Sequence, residues 1–129
     1  KKSLYDWFKK TSPIYEEKDF FKIYIDFPRD ELIKRINHRT KEMIKRGAVS
    51  EVKKFIKLKI DMGKTVNKAI GINEIKEHLN EKIEINKVIE KISIKTRQYA
   101  KRQATWARGN MNDWKKIKSN RLNKFLKNI

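Results

Sequence analysis

The segment from Phe20 to Phe27, reading FFKIYIDF, is the one convincing strand in a chain whose other segments carry helical periodicity. Pro28 ends it. A lone strand leaves a row of backbone donors and acceptors without partners, so it demands a sheet from somewhere. In a mostly helical chain that sheet normally comes from other sequence. If these 129 residues stand alone, the strand must pair with its own copy in a dimer, pair with the weak segment around Trp114, or not form.

Around the strand, apolar residues recur at helical steps of three and four. Leu4, Trp7 and Phe8 between charges predict a short amphipathic helix in Lys1 to Lys10, stopped by Thr11-Ser12-Pro13, with aromatic residues that need a neighbour to cover them. Arg29 to Arg46 reads as the first long helix, with Leu32, Ile33, Ile36, Thr40, Met43 and Ile44 on one face and Gly47 as its stop. A Glu42 to Arg46 ion pair is expected on its flank, beside Arg35 and Arg39. Ser50 is placed to cap a second helix, Glu51 to Ile60, and Thr65 to Asn80 reads as a third with Gly71 in its middle. A glycine there costs about 1 kcal/mol against alanine, so it marks close packing or a break.

The helix Glu84 to Arg108, ended by Gly109-Asn110, organises the rest. Its apolar stripe runs through Ile85, Val88, Ile89, Ile92, Thr96, Tyr99, Ala100 and Ala107. Lys91, Lys95 and Arg102 share one side of it, Arg97, Lys101 and Arg108 another, so it reads as a surface helix that touches something acidic. Trp106 is either a stacking surface or a core residue, and its place near a helix end favours the core. Asn112-Asp113-Trp114 reads as a return strand or turn, and Leu122, Phe125, Leu126 and Ile129 as a final basic amphipathic helix. The fold class is therefore mainly α, about five helices with one N-terminal strand.

Lys plus Arg number 34 against 16 Asp plus Glu, a net charge of +18 spread along the chain, and a polyanion is its natural partner. A bias towards Lys, Asn and Ile explains part of that charge without any ligand, but it does not explain the arginines, whose planar fork suits phosphate. There is no cysteine, and neither His38 nor His78 has partners at metal-ligand spacing, so no metal is assigned. No apolar run approaches the ~18 residues that span a bilayer, and a cytoplasmic protein without a membrane partner is expected. Gly63-Lys64-Thr65 is not a phosphate loop, since position 58 is Leu58 and no strand leads into it. No catalytic constellation is present, no cofactor is assigned, and by its residues alone the chain is a binder. It begins with Lys1, which suggests a piece of something longer.

The run TRQYAKRQATWAR, Thr96 to Arg108, resembles the C-terminal part of bacterial tRNA dimethylallyltransferases. So do Pro28-Arg29, Arg35-Ile36-Asn37-His38-Arg39, Met43 to Gly47, Glu51-Val52 and Ala69-Ile70-Gly71, the match covering about residues 20 to 108 in order. The resemblance implies that the strand joins the sheet of a P-loop-type α/β half, supplied as a separate chain if the gene is split. The intact enzyme transfers a dimethylallyl group from its diphosphate to the exocyclic amine of the adenosine 3′ of the anticodon. That absent half carries the phosphate loop, the proton-accepting carboxylate and a Mg2+ site. The present chain, with residues 1–19 as an N-terminal segment, 20–109 as the helical part and 110–129 as a basic tail, binds the tRNA anticodon arm and closes the pocket. Alternatively it is a non-catalytic RNA-binding remnant.

By the same resemblance, Arg35 points at the diphosphate end of the active site. Lys68, Ala69, Ile70, Gly71, Ile72 and Asn73 form one tRNA-contacting segment, although Ile72 stands where an aromatic residue is usual. Lys101, Arg102, Gln103, Ala104, Thr105, Trp106, Ala107 and Arg108 form the other. Within it, Lys101, Arg102 and Arg108 are assigned to phosphates, and Gln103 and Thr105 to base or sugar edges.

Overall fold

Helix-forming periodicity becomes a core where four helices bring their apolar faces together. The computed structural model describes residues 3–128; Lys1 and Lys2 of the first expected helix and Ile129 of the last lie outside them. Six helices are found among the described residues: α1 (Leu4–Phe8), α2 (Arg29–Lys45), α3 (Ala48–Lys57), α4 (Ile72–Leu79), α5 (Ile85–Asn110) and α6 (Leu122–Leu126). Ala48 and Val52 of α3, Ile75 of α4, and Val88 and Ile92 of α5 form the buried centre, with Met43 and Ile44 of α2 packed against it. Val88 is wholly buried and Ile75 nearly so.

Two strands pair, not one: β1 (Ile23–Asp26) lies parallel to β2 (Lys115–Lys118), with Ile23 opposite Lys115 and Asp26 opposite Lys118. Of the expected partners, it is the stretch just after Trp114 that supplies the second strand. The sequence KKIK hides it because Ile117 alone is apolar, and Ile117 is buried. A parallel pair needs a crossover between its strands, and here the crossover is α2 to α5. The tail beyond residue 110 is thereby tied to residue 23 onwards.

Several helix ends differ from expectation for local reasons. Gly47 stops α2 in the left-handed region, φ 102°, and the chain turns into α3 at once, so α3 begins at Ala48 and Ser50 is not its cap. Gly71 does not sit inside a helix. The expected Thr65 to Asn80 helix is broken into a 3-10 turn, Thr65–Lys68, and α4, with Gly71 at φ 108° as the residue before α4. Its backbone N–H donates to Glu74 Oε2 at 2.9 Å. Helix α5 runs through Gly109 to Asn110, and the Met111 N–H donates to the Ala107 carbonyl at 2.8 Å. His78 is half-buried, and its Nδ1 lies 2.9 Å from the Ile83 carbonyl oxygen, across the α4–α5 turn. The Glu42–Arg46 pair forms, at 3.7 Å.

Glu74 is the buried acid of the core, 2 % exposed. Burial pushes its carboxyl up, but Lys95, its own backbone N–H and that of Gly71 together hold it below the usual carboxylate range. Lys95 pairs with Glu74 Oε1, and Lys91 Nζ with Glu77 Oε2 at 2.6 Å, so two of the α5 cations meet acids of α4.

Because Glu74 has a depressed pKa in the folded state, its contribution is fully present above the unfolded carboxylate value of about 4.3 and is lost as pH falls through the lower folded value. Thermal melts of the native chain should fall more steeply below about pH 4 than those of Glu74→Gln. At pH 7 the substitution should cost about 2 kcal/mol, less than for a fully buried pair since Lys95 is half exposed. Parallel melting curves for the two proteins across that range would contradict the assignment.

Candidate nucleic-acid interface

The C-terminal half of α5 lies beside β1 and the start of α2, leaving an open groove of about 610 Å³. Tyr24, Ile25 and Asp26 of β1, Phe27 after it and Leu32 of α2 make one wall. Opposite them stand Arg102, Gln103 and Trp106, with Met111 at the end. Ala100, Ala104 and Ala107 line the helix side between them, at steps of four and three that share one face. Larger residues there would fill the space that the alanines leave open.

The groove is mostly apolar, with one cation, Arg102, and one acid, Asp26, among its lining residues. Arg102 lies over the Tyr99 ring at 5.7 Å from the centroid, and Tyr99, expected on the core stripe, is 49 % exposed. The Arg35 guanidinium lies over the ring of the groove-lining Phe27, 4.5 Å from its centroid. Trp106 is the clear correction to the expected core: it is 59 % exposed, while its neighbour Ala107 takes the buried position at 7 %.

The structure divides the residues expected at the RNA. Arg102, Gln103, Ala104, Trp106 and Ala107 share the groove, and Arg35 joins them through Phe27. Lys101, Thr105 and Arg108 do not line it. They follow one another at steps of four and three on a different face of α5, where Arg108 Nη2 donates to Thr105 Oγ1 at 3.2 Å. Lys68, Ala69, Ile70, Gly71, Ile72 and Asn73 belong to another level of the fold. A Cβ on Gly71 would stand 3.6 Å from Ile92 Cδ1, and Ile92 precedes Gln103 by eleven residues, about 16 Å of helix.

Tyr24, Asp26, Phe27, Leu32 and Met111 were not anticipated as groove residues. Alternation along β1 places Tyr24 and Asp26 on one face, the signal that was available. What the strand would face was not, since that depends on its partner at the far end of the chain.

No cluster of three or more His, Asp or Glu side chains able to hold a metal occurs among the described residues. No described helix is long and apolar enough to cross a membrane.

Comparison with known proteins decides the family. A family model described as IPP transferase matches residues 1–110. The chain belongs to the tRNA dimethylallyltransferase family. The match reaches the N-terminal segment that the sequence motifs alone left outside. The tRNA dimethylallyltransferase of Pelagibacter ubique is 50 % identical over 127 residues, which are 98 % of this chain and 41 % of that protein. That of Agrobacterium fabrum is 38 % identical over 118 residues, 90 % of this chain and 40 % of that protein. Among solved structures, a tRNA isopentenylpyrophosphate transferase from Staphylococcus epidermidis superposes with a TM-score of 0.71 at 31 % identity, covering 81 % of this chain and 34 % of that one. The full-length enzyme from Bacillus halodurans gives 0.69 at 29 % identity, with 88 % and 36 % covered. The chain spans about two fifths of the length of the curated relatives it matches.

The exposure of Trp106 can be read directly. In a chain with Trp7 and Trp114 replaced by Phe, Trp106 fluorescence should be red-shifted and open to iodide quenching, and Ala104→Leu should blue-shift it by filling the groove. A blue, unquenched emission from the parent would place Trp106 in the core instead.

Proposed function

We propose that this chain is the tRNA-binding, pocket-closing part of a tRNA dimethylallyltransferase, without activity until a P-loop half completes it. The observation that carries the reading is the groove: an apolar trough with one arginine, one amide and one exposed indole on a single helix, in a chain of this family. Chemistry on the exocyclic amine of the adenosine 3′ of the anticodon requires that base to leave its stack, which costs a few kcal/mol. An exposed aromatic beside an amide offers what the unstacked base loses, a stacking face and a hydrogen-bonding edge.

Position supports the following roles. Trp106 stacks on a base or flanks the prenyl group, Gln103 bonds a base or sugar edge, and Arg102, steadied by Tyr99, holds a phosphate. Arg35, steadied over the Phe27 ring, offers its fork to the diphosphate of the dimethylallyl donor. Lys101, Thr105 and Arg108 serve RNA on the adjoining face of α5. The segment Lys68 to Asn73, about 16 Å along the helix, meets a different part of the anticodon arm. The Mg2+, the phosphate loop and the general base belong to the other half, whether as preceding sequence or as a separate chain, and this half acts in the cytoplasm where tRNA is found.

A second reading, a non-catalytic RNA-binding remnant, draws on the lack of any catalytic constellation among the described residues. The two readings part on one experiment. Transfer of labelled dimethylallyl group to unmodified tRNA should be absent with this chain alone and should appear when the P-loop half of a relative is added. Arg102→Ala should then lower kcat/KM roughly 10- to 100-fold, the worth of one charge-assisted contact of about 1.5–3 kcal/mol. No transfer from two folded halves that bind each other would favour the remnant.

A further inference from the structure

Between Trp114 and Asn128 the chain carries Lys115, Lys116, Lys118, Arg121, Lys124 and Lys127 and no acid. None of these six takes part in an ion pair among the described residues. The cations on the core helix behave differently, since Lys87, Lys91 and Lys95 each meet a carboxylate. The core spends its cations on its own acids, and the tail leaves its cations free.

We propose that β2 and α6 form a second RNA contact, sequence-independent and adjoining the groove, where Lys116 stands opposite the groove-lining Tyr24, that grips the phosphate backbone. The choice of RNA among polyanions rests on the reading given above; the surface itself lies beyond residue 110, where the match to the family model ends. Three features support it. The array is built on a fixed element, because buried Ile117 and the pairing with β1 anchor β2. Lys116 and Lys118 then share the pleat face opposite Ile117, about 7 Å apart. Lys118 is opposite Asp26 in the register, which leaves Lys116 and the cations beyond β2 as the stronger phosphate ligands.

Aromatic surface accompanies the charge. Phe21, 62 % exposed, stacks on Phe125 with centroids 5.9 Å apart and planes 12° apart. Lys115 Nζ lies over both rings, at 5.7 and 5.1 Å. An exposed ring beside an unpaired lysine, here Phe21 with Lys115, is a combination that holds unstacked nucleotides in single-stranded loops. A bilayer is a poorer fit. Helix α6 has five residues, Leu122 and Phe125 are already partly covered, and Leu126 is the one exposed aliphatic residue left on it. The tail also starts at Met111, itself a groove-lining residue, so the two surfaces adjoin.

The test uses the full chain and measures anisotropy of a labelled anticodon-arm RNA, and of an unrelated RNA of equal length, from low to high salt. A variant carrying Lys116→Gln, Arg121→Gln, Lys124→Gln and Lys127→Gln should flatten the slope of log K against log salt by about 3, four contacts at ~0.7 each for single-stranded RNA. It should do so for both RNAs and leave their ratio unchanged, because phosphate contacts carry no sequence information. A variant with the same four charges kept, by Lys→Arg and Arg→Lys exchange, should bind as the parent does. An unchanged slope in the folded Gln variant overturns the proposal, whatever Arg102→Ala does; unchanged binding in Arg102→Ala alone counts against the groove and spares the tail. If the parent binds neither RNA, both fall. Binding to phosphatidylglycerol vesicles that exceeds binding to RNA and vanishes in the Gln variant would overturn it in favour of a membrane. Should the variant not fold, protection of Lys116, Lys124 and Lys127 from amine acylation by bound RNA answers the same question on the native chain, and no protection refutes the proposal.

Discussion

The parallel pairing of Ile23–Asp26 with Lys115–Lys118 is the contact on which the rest of the arrangement depends. It joins segments about ninety residues apart, one before the helices and one after them. Around it, Lys22 Nζ pairs with Glu17 at 2.8 Å and Asp113 at 3.4 Å. The Glu17 carboxylate, outweighing slight burial and helped by Asp113, holds that ammonium above its ordinary value. Without the pairing, β1 has no partner for its backbone on either edge, and the last three turns of α5 lose the wall that makes a groove of them. A two-stranded sheet is marginal alone; Ile117 of β2 is buried, as are Ile36 of α2 and Ala107 of α5.

The helical core is a separate source of order. It is centred on Val88, Ile92 and Ile75, and it is sealed on one side by Glu74 with Lys95. Charge has two uses in this molecule. Where α4 meets α5, cations and acids fix the helices in place; towards the C-terminus the acids run out and the cations face outward. A net charge of +18 says nothing of that division, which only the partners of each lysine reveal.

Much of the helical layout could be read from periodicity. The α2 face through Ile36 and Thr40 is buried as its spacing requires, and the α5 stripe through Val88 and Ile92 is the core. The family was readable from one run, Thr96 to Arg108, because its residues are unusual in that order. Three things were not readable. Ile117 is one apolar residue among lysines, so β2 carries no alternation to detect. Gly71 looks like a mid-helix glycine unless its φ of 108° is known. Trp106 carries the size of a core residue and sits near a helix end, and that weighs against the stripe, which already places Ala107 inward. The groove was half legible, since its α5 wall lies in the recognised run and its β1 wall depends on a pairing that no local pattern announces.

That pairing is the central claim and can be tested without RNA or substrate. Hydrogen–deuterium exchange should show the amides of residues 22–26 and 115–118 protected together, at a level below that of the α5 core around Val88 to Ile92. In Ile117→Asp both segments should lose protection together while the core keeps its own. Protection of 22–26 that survives Ile117→Asp, or free exchange at 115–118 in the parent, would show that β1 finds its partner elsewhere and that the groove is not built as described.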